Sequence, residues 1–221
     1  MGSISETTIA FGLLRYLGFL IAITMCQAGV AIMAKRKGDN SIQTQQMATL
    51  NPLPHIDILG TVIFPIITIL LNSPVVFGWP KQFDIDRRSF RNPRKDINIV
   101  YSFGVGINFA IAFLCILILR FSGIGAVMPT PTLDFTKPEL LSGLIVTLIG
   151  ISNITIGALF LLPLPGMAGW NILINNLSYN KAKFLNEKAT IISIVGLLLI
   201  VSGVLTFYFR IFLFLFLFGT Y

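Results

Sequence analysis

Five stretches of about twenty residues carry no charged side chain: 16–34, 58–77, 99–119, 140–162 and 189–209. About twenty apolar residues carry an α-helix across the hydrocarbon core of a bilayer. In lipid every backbone N–H and C=O must be satisfied inside the protein, so such runs become helices packed in a bundle. Composition agrees. Of 221 residues, 55% are hydrophobic and 11% are charged, against about a quarter charged in an ordinary soluble domain. The mean hydropathy is +0.84. Two cysteines exclude a disulfide scaffold, and the apolar content excludes a disordered chain. The chain therefore reads as an all-α integral membrane protein, a polytopic helix bundle of about five to six hydrophobic segments forming one transmembrane domain over 1–221. No loop is long enough for a soluble domain. The first residues, MGSISETT, lack a basic n-region and a cleavage site, so no cleaved signal peptide is expected.

The segments differ in quality. The first apolar run begins near Thr8, carries Arg15 one turn inside its start and stops at the basic cluster 35–39. The second holds Pro65, Asn72 and Pro74. The third closes at Arg120, and the fourth runs into Leu162-Pro163-Leu164-Pro165-Gly166. The run 211–218 (IFLFLFLF) is too short to cross at 1.5 Å per residue, and reads as a last half-turn into the interface or an edge against a partner.

The net charge is +7, and six of the sixteen Lys and Arg lie in 81–95. No base-reading motif accompanies them, so nucleic acid is not the expected partner. A loop on anionic lipid headgroups at the cytoplasmic surface is. The loop holding Lys181, Lys183 and Lys188 then falls on the same side, and 129–138 outside. The cluster Lys35, Arg36, Lys37 depends on the second run. If 58–77 spans, the cluster lies opposite the 81–95 loop. If 58–77 is re-entrant, as its prolines allow where protein covers the broken helix, both lie together. The sequence leaves both readings open.

Several polar stretches stand in a fixed order. Asn51-Pro52-Leu53-Pro54-His55-Ile56-Asp57 precedes Gly60-Thr61 and Pro65. Phe77-Gly78-Trp79-Pro80-Lys81 and Asn92-Pro93-Arg94 follow. Gly104 and Asn108 come next, four residues apart, and Asn153 stands ten residues before Pro163-Leu164-Pro165. This order resembles the site-2 protease family of intramembrane zinc metalloproteases, in its compact bacterial subgroup without a PDZ domain. The resemblance covers about 26–173, leaving 189–218 as extra C-terminal membrane segments. It implies a site-2-protease-like core in the bacterial cytoplasmic membrane.

In that family a helix carries H-E-x-x-H, two histidines that bind zinc from one face and a glutamate that activates water. Counting back from Gly38 and Asn51, the resemblance places this motif on Cys26-Gln27-Ala28-Gly29-Val30. Cys26 and Val30 then occupy the histidine positions, and Gln27 the glutamate position. The family's third ligand is the aspartate of N-x-x-P-x-P-x-x-D-G. The corresponding stretch is 160–169, with Phe160 for the asparagine and Ala168 for the aspartate, while both prolines and the glycine persist. One thiol cannot replace three ligands, and the chain has a single histidine, His55, at a position where the family has its own HID. The resemblance thus implies a catalytically inactive member with no catalytic, metal or cofactor-binding residues and no cofactor. The expected role is that of an accessory or scaffold subunit binding other integral membrane proteins. The alternative is a divergent intramembrane zinc metalloprotease cleaving transmembrane helices. Transport is disfavoured, because the spans hold only Arg15 and Arg210 near their ends and Asp57 at a boundary.

Asn108 and Asn153 are expected to hydrogen-bond between helices. Gly143 and Gly150 fall near one helical face, for close helix approach. Cys26 and Cys115 read as reduced, buried small hydrophobes. Trp170 and Tyr179 suit the membrane interface. The prolines at 163 and 165 predict a broken helix beside an apolar groove.

Overall fold

The computed structural model describes residues 6–71, 76–130, 133 and 136–221, and of residues 6–9 and 201 only the backbone. Asn72 and Pro74 of the second apolar run, and the first five residues, lie outside the described residues.

Among the described residues, three helices are long and apolar enough to cross a membrane: α1 (Glu6–Lys37), α4 (Pro93–Ser122) and α5 (Pro138–Leu161). They pack mutually. With no hydrophobic effect between helices in lipid, association depends on close packing of small residues. The inner face of α1 supplies Ala22, Cys26, Gly29, Val30 and Ala34, spaced by three or four residues. Gly104 of α4 meets this stripe: a Cβ there would overlap the Val30 side chain and lie 2.7 Å from the Cys26 carbonyl oxygen. The central core joins Phe19, Ile23 and Cys26 of α1 to Val105 of α4 and to Ile156, Leu159 and Phe160 of α5.

After α1 the chain forms a short α2 (Ile42–Met47) and a 3₁₀ turn at Leu53–His55. A π-helical turn, Ile58–Ile63, then leads into α3 (Phe64–Leu70). The stretch Ile58–Leu70 is a short apolar helix rather than one of the three long ones, and the chain comes back beside it. Trp79 N–H donates to the Gly60 carbonyl (3.1 Å) and Lys81 N–H to the His55 carbonyl (2.9 Å). The Thr61 hydroxyl donates to the Trp79 carbonyl (3.0 Å). The segment therefore enters and returns at one end of the bundle. Such a return is what the re-entrant reading of 58–77 expects.

That return puts the basic segments together. Residues 82–92 lie as a strap over the end of α1, pinned by Phe90, which is buried with Val30, Ala34, Ile97 and Val100. Lys37 pairs with Asp96 at 2.9 Å. Farther along, Asn175 donates to the Arg94 carbonyl (2.7 Å), so the end of α6 (Ala168–Asn176) reaches the same place. α7 (Tyr179–Glu187) follows directly. Twelve of the sixteen Lys and Arg thus gather at one end: Lys35 to Lys37, the six in 81–95, and Lys181, Lys183 and Lys188.

The expected span 189–209 is two helices. α8 (Ala189–Val201) has 13 residues and α9 (Thr206–Thr220) has 15. Gly203, at φ +80°, lies in the turn between them, a conformation open to glycine without steric cost. The run 211–218, too short to cross alone, belongs to α9, which packs on α4 and α5. Its inner face is used within the chain: Phe216 is fully buried with Cys115 and Ile154. Phe214 and Phe218 stay exposed. A Cβ on Gly150 would overlap the Phe216 ring, whereas one on Gly143 would meet Val127 and Ile124 at 2.8 and 2.9 Å. The two glycines therefore admit different neighbours rather than one. Gly150→Val is expected to cost about 1–3 kcal/mol by overpacking and to lift α9 from the bundle. Faster proteolysis near residues 202–205, with the rest of the chain protected, would register it.

Two expectations about polar residues are corrected. Asn108 is fully buried, yet neither its Oδ1 nor its Nδ2 has a partner. Asn153 donates within its own helix, to the Ile149 carbonyl (2.9 Å). Neither bonds between helices, because the facing positions are glycine and apolar groups: the Asn108 Cβ lies against Gly157. Trp170 is buried, because α6 folds back onto α4, while Tyr179 is exposed. Cys26 and Cys115 are free and buried.

Candidate functional site

The prolines at 163 and 165 end α5, and Gly166 (φ +87°) turns the chain into α6. This break carries Met167 and Ala168 into the core beside Cys26 and Phe160. One turn of α1 thereby faces the start of α6. Gln27, Val30, Phe160, Gly166 and Ala168 line a single cavity, closed by Gln82, Phe83 and Tyr101. The positions singled out in the sequence at 26–30 and 160–168 thus converge in space. Gln82, Phe83 and Tyr101 carried no signal as site residues in the sequence. The strap brings in the first two, and Tyr101 stands one turn before Gly104 on α4.

The cavity measures about 10 Å³, room for about one water molecule. Gln27 is buried and its Nε2 donates to the Lys81 carbonyl (3.1 Å). The Gln27 side chain is therefore engaged as a brace between α1 and the returning segment at Lys81. An amide has no proton-accepting capacity at neutral pH, and Val30, Phe160 and Ala168 offer no donor atom. The thiol of Cys26 is the one metal-binding group of this constellation. Zinc takes three protein ligands and an open position in catalytic sites, and these residues do not fit it. Among the described residues no three His, Cys, Asp or Glu side chains converge.

His55 and Asp57 hold the re-entrant segment. The Asp57 carboxylate accepts from the Gly60 N–H (2.7 Å) at the head of the π-helical turn. His55 is buried, and its Nε2 lies 3.0 Å from the Thr49 carbonyl. A carbonyl only accepts, so Nε2 carries the proton, leaving Nδ1 with no partner. Burial pushes the imidazole pKa below its ordinary value, partly offset by the Thr49 hydrogen bond. The ring is neutral and structural in this setting.

Next to the small cavity lies a larger apolar groove of about 270 Å³. Phe77, Trp79, Leu164, Met167, Leu197 and Ile200 line it, and it shares Gln82 and Gly166 with the cavity. The returning segment 77–82, the 163–166 break and α8 form its walls.

No family model matches the chain. No solved structure matches it either. Among curated proteins it is similar to "Putative zinc metalloprotease YwhC" of Bacillus subtilis (strain 168), with 32% identity over 95 residues. The match covers 43% of this chain and 40% of that protein. Over less than half its length, and over less than half the length of that protein, the chain is thus related to a protein named for zinc proteolysis.

Proposed function

We propose that this chain is a non-catalytic, site-2-protease-like subunit of a membrane protein complex, which binds other integral membrane proteins. One observation carries the reading. Gln27, Val30, Phe160 and Ala168 line one water-sized cavity with Cys26 beside it in the core, and none but the thiol can hold a metal. The adjoining groove, walled by aromatic and aliphatic side chains, offers a transmembrane segment a surface to pack against. The charge distribution favours the bacterial cytoplasmic membrane, with the basic end on the cytoplasmic side. Anionic lipid is the expected contact of that end, and nucleic acid is not.

Metal analysis of the purified full chain tests this. Zinc well below one atom per chain, and no peptide cleavage that a chelator abolishes, are expected. Partner membrane proteins should copurify in mild detergent, and Leu164→Trp, which fills the groove, should release them. A stoichiometric zinc ion with chelator-sensitive cleavage would instead establish the second reading, a divergent zinc metalloprotease, which the name of the Bacillus relative favours. A monomer free of partners in mild detergent would count against the scaffold role.

A further inference from the structure

α7 differs from α6, the other nine-residue helix, which buries Ala168 and Trp170. None of its side chains is buried, and it packs on its chain neighbours α6 and α8. It joins two apolar helices at the basic end of the bundle. Its sequence, YNKAKFLNE, is amphipathic. Lys181, Phe184, Leu185 and Lys188 fall at i, i+3, i+4 and i+7 and share one face. Lys183 and Glu187 are one turn apart on another, so Lys181 and Lys188 have no acidic neighbour within α7 on their own face. Tyr179 and Phe184 are exposed, at 79% and 59%. Apolar and cationic groups alternating around a helix with no buried side belong to the membrane interface.

Between this face and the end of α6 lies a shallow groove of about 470 Å³. Leu173, Leu177, Phe184 and Leu185 form its floor, and Asn180 and Lys181 its rim. Arg94, whose Nη2 donates to the Asn176 carbonyl (2.9 Å), adds positive charge beside the end of α6. An apolar floor under a cationic rim, at the headgroup level of a bilayer, matches a ligand with a hydrocarbon tail and an anionic head.

We propose that the α6–α7 groove seats one anionic phospholipid, its acyl chain along Leu173, Leu177, Phe184 and Leu185 and its phosphate at Lys181 on the groove's edge, with Lys188 adding charge from the end of α7. This places lipid recognition on α7 rather than on the strap 81–95. The strap's backbone is folded onto α1 and α4, with Phe90 buried against Val30, Ala34, Ile97 and Val100.

Native mass spectrometry of the full chain, released from micelles with equal amounts of phosphatidylglycerol and phosphatidylcholine, tests the site. One phosphatidylglycerol should be retained in preference. Each cationic side chain near the headgroups contributes about fivefold, equivalent to about 1 kcal/mol. Lys181→Gln with Lys188→Gln should remove the preference, and Leu177→Trp should remove it with the charge unchanged. Equal retention of the two lipids would overturn the proposal. So would a preference that survives the lysine changes, or one abolished by neutralising Arg87, Arg88 and Arg91 while both groove variants retain it. Both lysines are exposed, so their variant decides even if Leu177→Trp fails to fold.

Discussion

Replacing Gly169 with alanine is expected to cost more than about 4 kcal/mol, in the range reserved for a named structural failure. The effect arises from one methyl group. At the end of α5 the last carbonyls have no partner further along the helix, and α6 begins directly beneath them. A Cβ on Gly169 would overlap the Leu161 carbonyl and press on that of Leu162. Both obstacles are backbone, held by the break at 163–166, so neither can rotate away. Relief requires α6 to swing off α4 and to carry Met167 and Ala168 out of the core. Gly106→Ala is the matching control. Gly106 is exposed within α4, and a Cβ there meets nothing within 4 Å. The same exchange there should be neutral or stabilising by up to about 1 kcal/mol through helix propensity. Thermal unfolding in mild detergent would separate the two. A Gly169→Ala protein that melts with the parent would show that the α5–α6 junction is not rigid.

Gly169 also marks where sequence reading stops. Pro163 and Pro165 foretell a broken helix, because proline cannot continue one. That the glycine six residues after Pro163 is required by the backbone of the preceding helix follows only from the fold-back of α6. The same limit applies to the second apolar run. Its prolines permit both crossing and re-entry. The bonds from Trp79 to Gly60 and from Lys81 to His55 are those that re-entry expects, and no local pattern encodes pairings so far apart. The α8–α9 break was hidden because Ser202 and Gly203 interrupt an uncharged run without changing its hydropathy. The convergence of 26–30 with 160–168 was legible, because a resemblance spanning both segments carries their pairing with it. The surroundings of Asn108 and Asn153 were not, since spacing puts an amide on a face without saying whether glycine or a polar group stands opposite.

The second large effect concerns a residue that composition treats as one acid among nine. Asp39 is sealed from solvent just past the end of α1. Its Oδ1 accepts from the Ser41 N–H (2.9 Å). Its Oδ2 accepts from the Thr44 hydroxyl (2.7 Å) and the Asp86 N–H (3.0 Å). It is a polar link between the end of α1, α2 and the strap, 47 residues away. Gly38, at φ +116°, brings the chain against the Ser89 carbonyl to allow it. Burial alone would raise the carboxyl pKa, but the hydrogen bonds from Thr44, Ser41 and Asp86 outweigh it and hold the pKa below the usual value. Hydrogen bonds to a charged group contribute about 1.5–3 kcal/mol, and orphaned donors add their own cost. Asp39→Ala should therefore cost about 3–4 kcal/mol. Amide exchange should accelerate across 82–90 first, since the variant strands the Asp86 N–H, while α5 amides keep their protection. The pH dependence has a definite sign. With its folded pKa depressed, Asp39 contributes fully above the unfolded value of about 3.9 and loses that contribution as pH falls through the folded pKa. His55 acts earlier. Its folded pKa is also lowered, so the unfolded chain takes up the proton first, and stability declines once pH drops below about 6.5. Acid should thus loosen the re-entrant segment before the strap. In the parent, exchange near His55 should rise as pH falls below about 6.5 while 82–90 stays protected to near pH 4. In Asp39→Ala, 82–90 should be open at neutral pH. Simultaneous release of both regions in the parent, at one pH, would show that the strap and the re-entrant segment unfold as a single unit and that Asp39 does not hold the strap independently.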